Sequence, residues 1–206
     1  MTDYFIPLWR VFMKNKKYTS QMSLMETEIA IKQTKDYFER ALAQVLNLTR
    51  VSAPLFVIPN TGLNDNLNGY ERPVSFDIKQ IGEHAEIVHS LAKWKRHALY
   101  RYGVEYDKGI YTDMNAIRRD EDMDILHSVY VDQWDWEKVI NESDRTEEYL
   151  KATVIKIYAA LRETEAYLDK LYPFLKATLP EEITFFTTQQ LEDMYPASTP
   201  FERENL

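Results

Sequence analysis

Apolar positions between Leu24 and Asn47 recur at helical spacing. Ile31, Phe38, Ala41, Leu42 and Val45 share one face, and Glu26, Lys32, Lys35 and Glu39 lie outside it, which predicts a helix. The pattern then changes. LTRVSAPLFVIP is an extended apolar run in which Pro54 and Pro59 exclude a helix. NTGLNDNLNGYERP has loop residues throughout. PVSFDI and HAEIVHS read as short strands, and AKWKRHALYRYG as a basic helix stopped by Gly103. GIYTDMNAIR and LHSVYVDQWDW read as strands joined through the charged turn RDEDMD in an antiparallel hairpin. Residues 145–171 predict a long helix striped by Leu150, Val154, Ile157, Leu161, Leu168 and Leu171. ITFFT reads as a further strand, TQQLEDMYP as a short helix and ASTPFEREN as the start of another. Residues 1–21 are aromatic and basic without a clear period and read as an extension. Strands with helices before, between and after them point to an α+β fold with a mainly antiparallel sheet flanked by helices.

Composition narrows this picture. A chain of 206 residues that is 45% hydrophobic can bury one sizeable core. Its 33 acidic and 25 basic residues leave a formal charge of −8, which argues against an extended grip on nucleic acid. Cysteine is absent, so disulfides, thiolate catalysis and Cys-ligated metals are excluded. The first residues have no apolar core like a signal peptide's, and no segment reaches membrane-spanning length. The expectation is a cytoplasmic protein with neither membrane nor nucleic-acid partners.

Chemistry gathers in four places. The five glycines lie singly, at 62, 69, 82, 103 and 109, so no Gly-rich phosphate cradle exists and any nucleotide must be held by side chains. Arg118 falls in phase with Ile110, Met114 and Ala116. It either ends the strand in solvent or meets an anion with its planar fork. On the second strand, alternation places His127, Val129, Val131, Gln133 and Asp135 on one face and Ser128, Tyr130, Asp132, Trp134 and Trp136 on the other. Gln133 can donate and accept at once, and Asp135 can hold an ammonium. That same face also suits a wet strand edge, and the tryptophans a core. Ser90 stands at a strand-to-helix junction as an N-cap candidate. Lys93, Lys95 and Arg96 crowd cations into the first turns of the next helix, against its macrodipole. A bound anion or simple solvation would resolve that conflict. Asp65, in DNLNG, is either a turn residue or a carboxylate aimed into a pocket. The four histidines have no metal-binding spacing.

In their order and spacing, VHSLAKWKR, YTDMNAIRRDED and LHSVYVDQWDWE, with LTRVSAPLF and DNLNG before them, resemble the aspartate–ammonia ligases, the ammonia-dependent asparagine synthetases. The resemblance runs from about residue 22 to the C-terminus. It implies a core like that of class II aminoacyl-tRNA synthetases, with the helix 24–47 at a homodimer interface and residues 109–136 as the hairpin of the second class II motif. It implies ATP, L-aspartate and ammonia as substrates, with Mg2+ expected, and a β-aspartyl-adenylate that ammonia converts to asparagine. It further implies residue roles. Arg118 would bind the α-phosphate, Lys95 the aspartate side-chain carboxylate, and Asp65 the ammonium as general base. Gln133 would bridge amino acid and phosphoryl oxygen. Ser90 and Asp135 would help fix the amino acid, and His127 and Ser128 would lie near adenine.

The third class II motif, a glycine-rich strand and helix with an ATP-clamping arginine, has no counterpart in residues 22–206. These residues are therefore expected to be the N-terminal part of one catalytic domain within a longer enzyme. The alternatives are a shortened, non-catalytic relative that dimerises or binds amino acids, and an aspartyl- or asparaginyl-tRNA synthetase relative.

Overall fold

A computed structural model of the protein describes residues 20–65, 67–124 and 127–203, and for Phe201 the backbone alone. The extension expected over residues 1–21 therefore lies almost wholly outside the described residues. Two compact units divide the chain, Met1–Thr164 and Glu165–Leu206.

The first unit opens with helix α1 (Leu24–Leu46), started by a capping box. The Glu26 N–H donates to Ser23 Oγ at 3.2 Å, and the Ser23 N–H donates to Glu26 Oε2 at 2.8 Å, so two of the helix's orphan donors are satisfied. Asn47 ends it in the left-handed region, φ 59°, which asparagine tolerates better than most residues. The extended run that follows is cut in two. Strand β1 (Leu48–Arg50) and strand β2 (Phe56–Val57) enter different sheets.

In the first sheet β1 pairs in parallel with β5 (Gly109–Ile117), and β5 pairs antiparallel with β6 (Tyr130–Lys138). In the second, β4 (Glu83–Ile87) lies between β2 and β3 (Ser75–Ile78), antiparallel to both. Helix α2 (Ala92–Arg101) follows β4. Of the three ladders besides the hairpin, only β1 with β5 is parallel, so the mainly antiparallel expectation holds.

Register explains the layering. Met114 pairs with Gln133, Ala116 with Val131 and Thr112 with Asp135, so these side chains share one face of the sheet. Met114 and Ala116 pack there with Val57, Val88 and Leu91, bringing the second sheet and the start of α2 onto that face. On the opposite face Tyr111 packs with Leu42, Leu46 and Leu48, and Trp136 and Ile157 close over them. Thus α1 lies on one side of the hairpin, joined there by Ile157 of α3 (Glu147–Leu171), and α2 lies on the other.

Four expectations change. His127 and Ser128 precede β6 rather than standing within it. The hairpin is joined by a connection longer than the charged turn RDEDMD: Arg118 N–H donates to Val129 O at 2.8 Å, and the described residues 119–124 and 127–128 stand outside the ladder. ITFFT forms no strand, because no other described strand offers it a ladder and Phe185 and Phe186 stay exposed. The stripe on α3 is also only partly covered. Val154 and Ile157 are half-buried, whereas Leu150, Leu161 and Leu171 are exposed.

In the second unit α4 (Thr188–Met194) falls where TQQLEDMYP predicts a short helix, and Thr187 and Gln190 start it with a capping box. The Glu165 carboxylate accepts from the backbone N–H of Thr178 and Leu179. A short helix, α5 (Pro200–Arg203), follows, as ASTPFEREN predicts.

Candidate active site

The hairpin sets the site's geometry. Arg118 continues the inward phase of β5 one residue beyond the ladder and lines a cleft of about 540 Å³ with Asp65, Leu67, Asn68, Glu71, Asp120, Glu121 and His127. Arg118 Nη1 lies 3.8 Å from Glu121 Oε2. Its Nε is shielded from water without a hydrogen-bond partner among the described residues. A buried donor of this kind is unfavourable unless an acceptor meets it.

Asp65 reaches the cleft from the loop before β3, held by the segment after β4. His89 Nδ1 lies 3.3 Å from the Asp65 carbonyl oxygen. Ser90 Oγ stands 3.5 Å from Asp65 Oδ2. Next door, Asn64 is buried and bonded on both ends of its amide. Its Oδ1 accepts from the His89 N–H at 3.0 Å, and its Nδ2 donates to Glu86 Oε2 at 3.2 Å. Asn64 and Glu86 escape sequence reasoning because they lie outside the quoted motifs, and His89, though inside VHSLAKWKR, because its partners Asn64 and Asp65 lie 25 and 24 positions away. The one hint is that a loop asparagine beside Asp65 suits a turn and its side chain can bond distant backbone.

Ser90 is not the N-cap of α2. Leu91 occupies that position, and Ser90 Oγ instead accepts from the Ala92 N–H at 3.2 Å. The cations that follow differ in environment: Arg96 is exposed to solvent, Lys93 is half-buried and Lys95 is buried. Lys93 Nζ donates to the Asn64 carbonyl oxygen at 3.3 Å. Arg96 Nε lies 3.9 Å from Glu137 Oε1. Lys95 is fully buried, and its ammonium is ion-paired with the Asp135 carboxylate. Protein acids and a carbonyl therefore offset the helix dipole. Burial pushes the Lys95 ammonium down from its ordinary pKa, and Asp135 opposes that shift. Burial likewise raises the Glu137 carboxyl, with Arg96 and Lys95 opposing.

Gln133 is half-buried beside Met114, its Nε2 lying 3.6 Å from Met114 Sδ. Register puts Gln133 and Asp135 on the same face as Arg118. His127 is exposed at the cleft's rim, and its Nδ1 lies 2.9 Å from Asp124 Oδ2. Ser128 is exposed and does not line the cleft. The structure thus brings Asp65, Arg118 and His127 to one cleft. Ser90 stands behind Asp65, and Lys95, Gln133 and Asp135 lie on the adjoining sheet face.

A second polar contact shapes the rim. The Arg72 N–H and Nε donate to Asp120 Oδ2 at 2.8 and 3.0 Å, tying the loop after Asp65 to the hairpin connection. The Arg72 guanidinium holds the Asp120 carboxyl well below the usual carboxylate range. Three of the cleft's four acids are already engaged: Glu71 accepts from Asn68, Asp120 from Arg72, and Glu121 faces Arg118. Among the described residues no three His, Asp or Glu side chains are grouped to hold a metal ion. No helix among them is long and apolar enough to cross a membrane.

Comparison with known proteins places this geometry. Structurally the chain is similar to the asparaginyl-tRNA synthetase of Entamoeba histolytica, with a TM-score of 0.54 at 11% identity over 84% of this chain and 36% of that one. A second structure of that synthetase, in complex with asparaginyl-adenylate, gives 0.52. The fold is accordingly a class II synthetase-like core. In sequence the chain is 66% identical over 188 residues to the aspartate–ammonia ligase of Fusobacterium nucleatum, covering 91% of this chain and 57% of the relative. It is 66% identical over 192 residues to that of Ruminiclostridium cellulolyticum, covering 93% and 57%. Against that of Bacillus thuringiensis it is 57% identical over 188 residues, covering 91% and 58%. The chain thus spans 57% of the length of the first two of these relatives. The family model for aspartate-ammonia ligase matches residues 25–206. By both measures, the chain belongs to the aspartate–ammonia ligase family.

Proposed function

We propose that the protein to which this chain belongs makes L-asparagine from L-aspartate, ATP and ammonia. The observation that carries the reading is the convergence of Asp65 and Arg118 on one cleft, with Gln133 and Asp135 on the face Arg118 extends. In the first step an oxygen of the aspartate β-carboxylate attacks the α-phosphorus of ATP. The bond from that phosphorus to pyrophosphate breaks, leaving β-aspartyl-AMP. Arg118 binds the α-phosphate, and its unpartnered Nε supplies a donor as negative charge grows there. Lys95 holds the β-carboxylate against the phosphate, two anions that otherwise repel.

In the second step the nitrogen of ammonia attacks the acyl carbon and AMP leaves. Asp65 orients the incoming ammonium and takes its proton as general base. Ser90, 3.5 Å from its carboxylate, and His89, at its carbonyl, hold it in place. Gln133 bridges the amino acid and the phosphoryl oxygen, Asp135 receives the substrate ammonium, and His127 and Ser128 flank the adenine. Mg2+ accompanies ATP, whose phosphates normally supply much of its coordination. The working protein is a cytoplasmic homodimer. The exposure of Leu24, Met25, Ile29 and Ile31 along α1 supports that helix as its interface.

Product analysis tests the proposal. Purified protein given L-aspartate, ATP and ammonium should release asparagine, AMP and pyrophosphate in equal amounts. Release of ADP and phosphate would contradict the adenylate route.

A further inference from the structure

Lys95 and Asp135 have a relation that their separate roles do not explain. Lys95 is 0% exposed, Asp135 keeps 21% of its side chain exposed, and the two are ion-paired. Neither Lys95 Nζ nor Asp135 Oδ2 has another hydrogen-bond partner among the described residues. We infer that the pair is a charge-exchange lock: a ligand enters only if it brings an ammonium for Asp135 and a carboxylate for Lys95 together. The inference rests on the amino-acid-binding role proposed above for these two residues and adds a selection rule to it.

The physics follows from which partner faces out. Asp135 is the accessible member, so an approaching ligand meets a carboxylate first. A ligand ammonium can take Asp135 over from Lys95. The freed Lys95 ammonium is buried and must then be neutralised, which the ligand's side-chain carboxylate does. A ligand carrying only carboxylates is repelled by Asp135 and offers it no replacement cation. A ligand carrying only an ammonium strands the buried Lys95. Parting a buried pair without replacing both partners is strongly unfavourable, because one charge is left uncompensated. Glu137 and Arg96 flank the pair with one charge of each sign, Glu137 favouring the Lys95 ammonium and Arg96 opposing it.

L-aspartate and succinate differ only in the ammonium, so they isolate the rule. Binding of each to the purified protein can be measured by calorimetry, for the wild type and for Asp135→Asn. The wild type should bind aspartate at least about 10²-fold more tightly than succinate. In Asp135→Asn aspartate should weaken while succinate tightens, because Lys95 no longer has its ion-pair partner. Tightening of succinate is the signature, since loss of a simple ammonium contact would leave succinate unchanged. Unchanged or weaker succinate binding in the variant overturns the lock and leaves the ligase reading standing. Where the variant does not fold, the wild type decides alone: aspartate and succinate within tenfold of each other overturn the lock. If the wild type binds neither ligand, the substrate reading falls, and the lock with it.

Discussion

Single residues hold this site by contacts that reach across the chain. Asn64 joins the loop to the end of β4 through both ends of its amide. Asn64→Ala leaves the buried His89 N–H without its acceptor, and chemical denaturation should show a loss of about 1–3 kcal/mol. Arg118 is the residue on which the proposed first step depends. Arg118→Ala should lower kcat on the order of 10²-fold, and steady-state rates near wild type would remove it from that role. His127 gives a pH test. Its contact with Asp124 raises the imidazole above its ordinary pKa, so charged His127 stabilises the folded state. That contribution is fully present below about pH 6.5, the value for an unperturbed histidine, and is lost as pH rises through the higher folded value. An NMR titration should show the His127 midpoint falling in Asp124→Asn.

At the scale of elements, the tightest tolerance lies where β1, β5 and β6 meet. A Cβ on Gly109 would stand 2.5 Å from the Glu137 carbonyl oxygen and 2.6 Å from Leu48 Cδ2. The backbone of β6 cannot yield without breaking the register that aligns Gln133 and Asp135 with Arg118. Gly109→Ala should therefore destabilise by about 1–3 kcal/mol, read as a lower denaturation midpoint. Most elements were legible in the sequence because their signals are local. Ser23 and Glu26 start α1, apolar alternation marks β5, and Thr187 and Gln190 start α4. What stayed illegible depends on distant partners. ITFFT has strand composition, yet a strand exists only if another offers a ladder. The cationic start of α2 looks solvent-facing, because Asp135, which neutralises Lys95, lies 40 positions away.

At the scale of the whole molecule, the class II-like core explains how an acidic chain of formal charge −8 can be read as one that handles ATP. Cationic chemistry is concentrated rather than spread. Among the described residues Arg118 is the one lysine or arginine that lines the cleft beside Asp65, with His127 at the rim, and Lys95 is buried against Asp135. The Asp65, Arg118, Gln133 and Asp135 constellation was visible as residue types before the fold. Its assembly was not, because it needs the loop, the helix and the hairpin to pack together.

The central claim is that the aspartate β-carboxylate attacks the α-phosphorus of ATP. Turnover of L-aspartate labelled with oxygen-18 in that carboxylate, followed by mass spectrometry of the products, tests it most directly. The account predicts one labelled oxygen in AMP and none in pyrophosphate. Label in inorganic phosphate released with ADP, or unlabelled AMP, would contradict it.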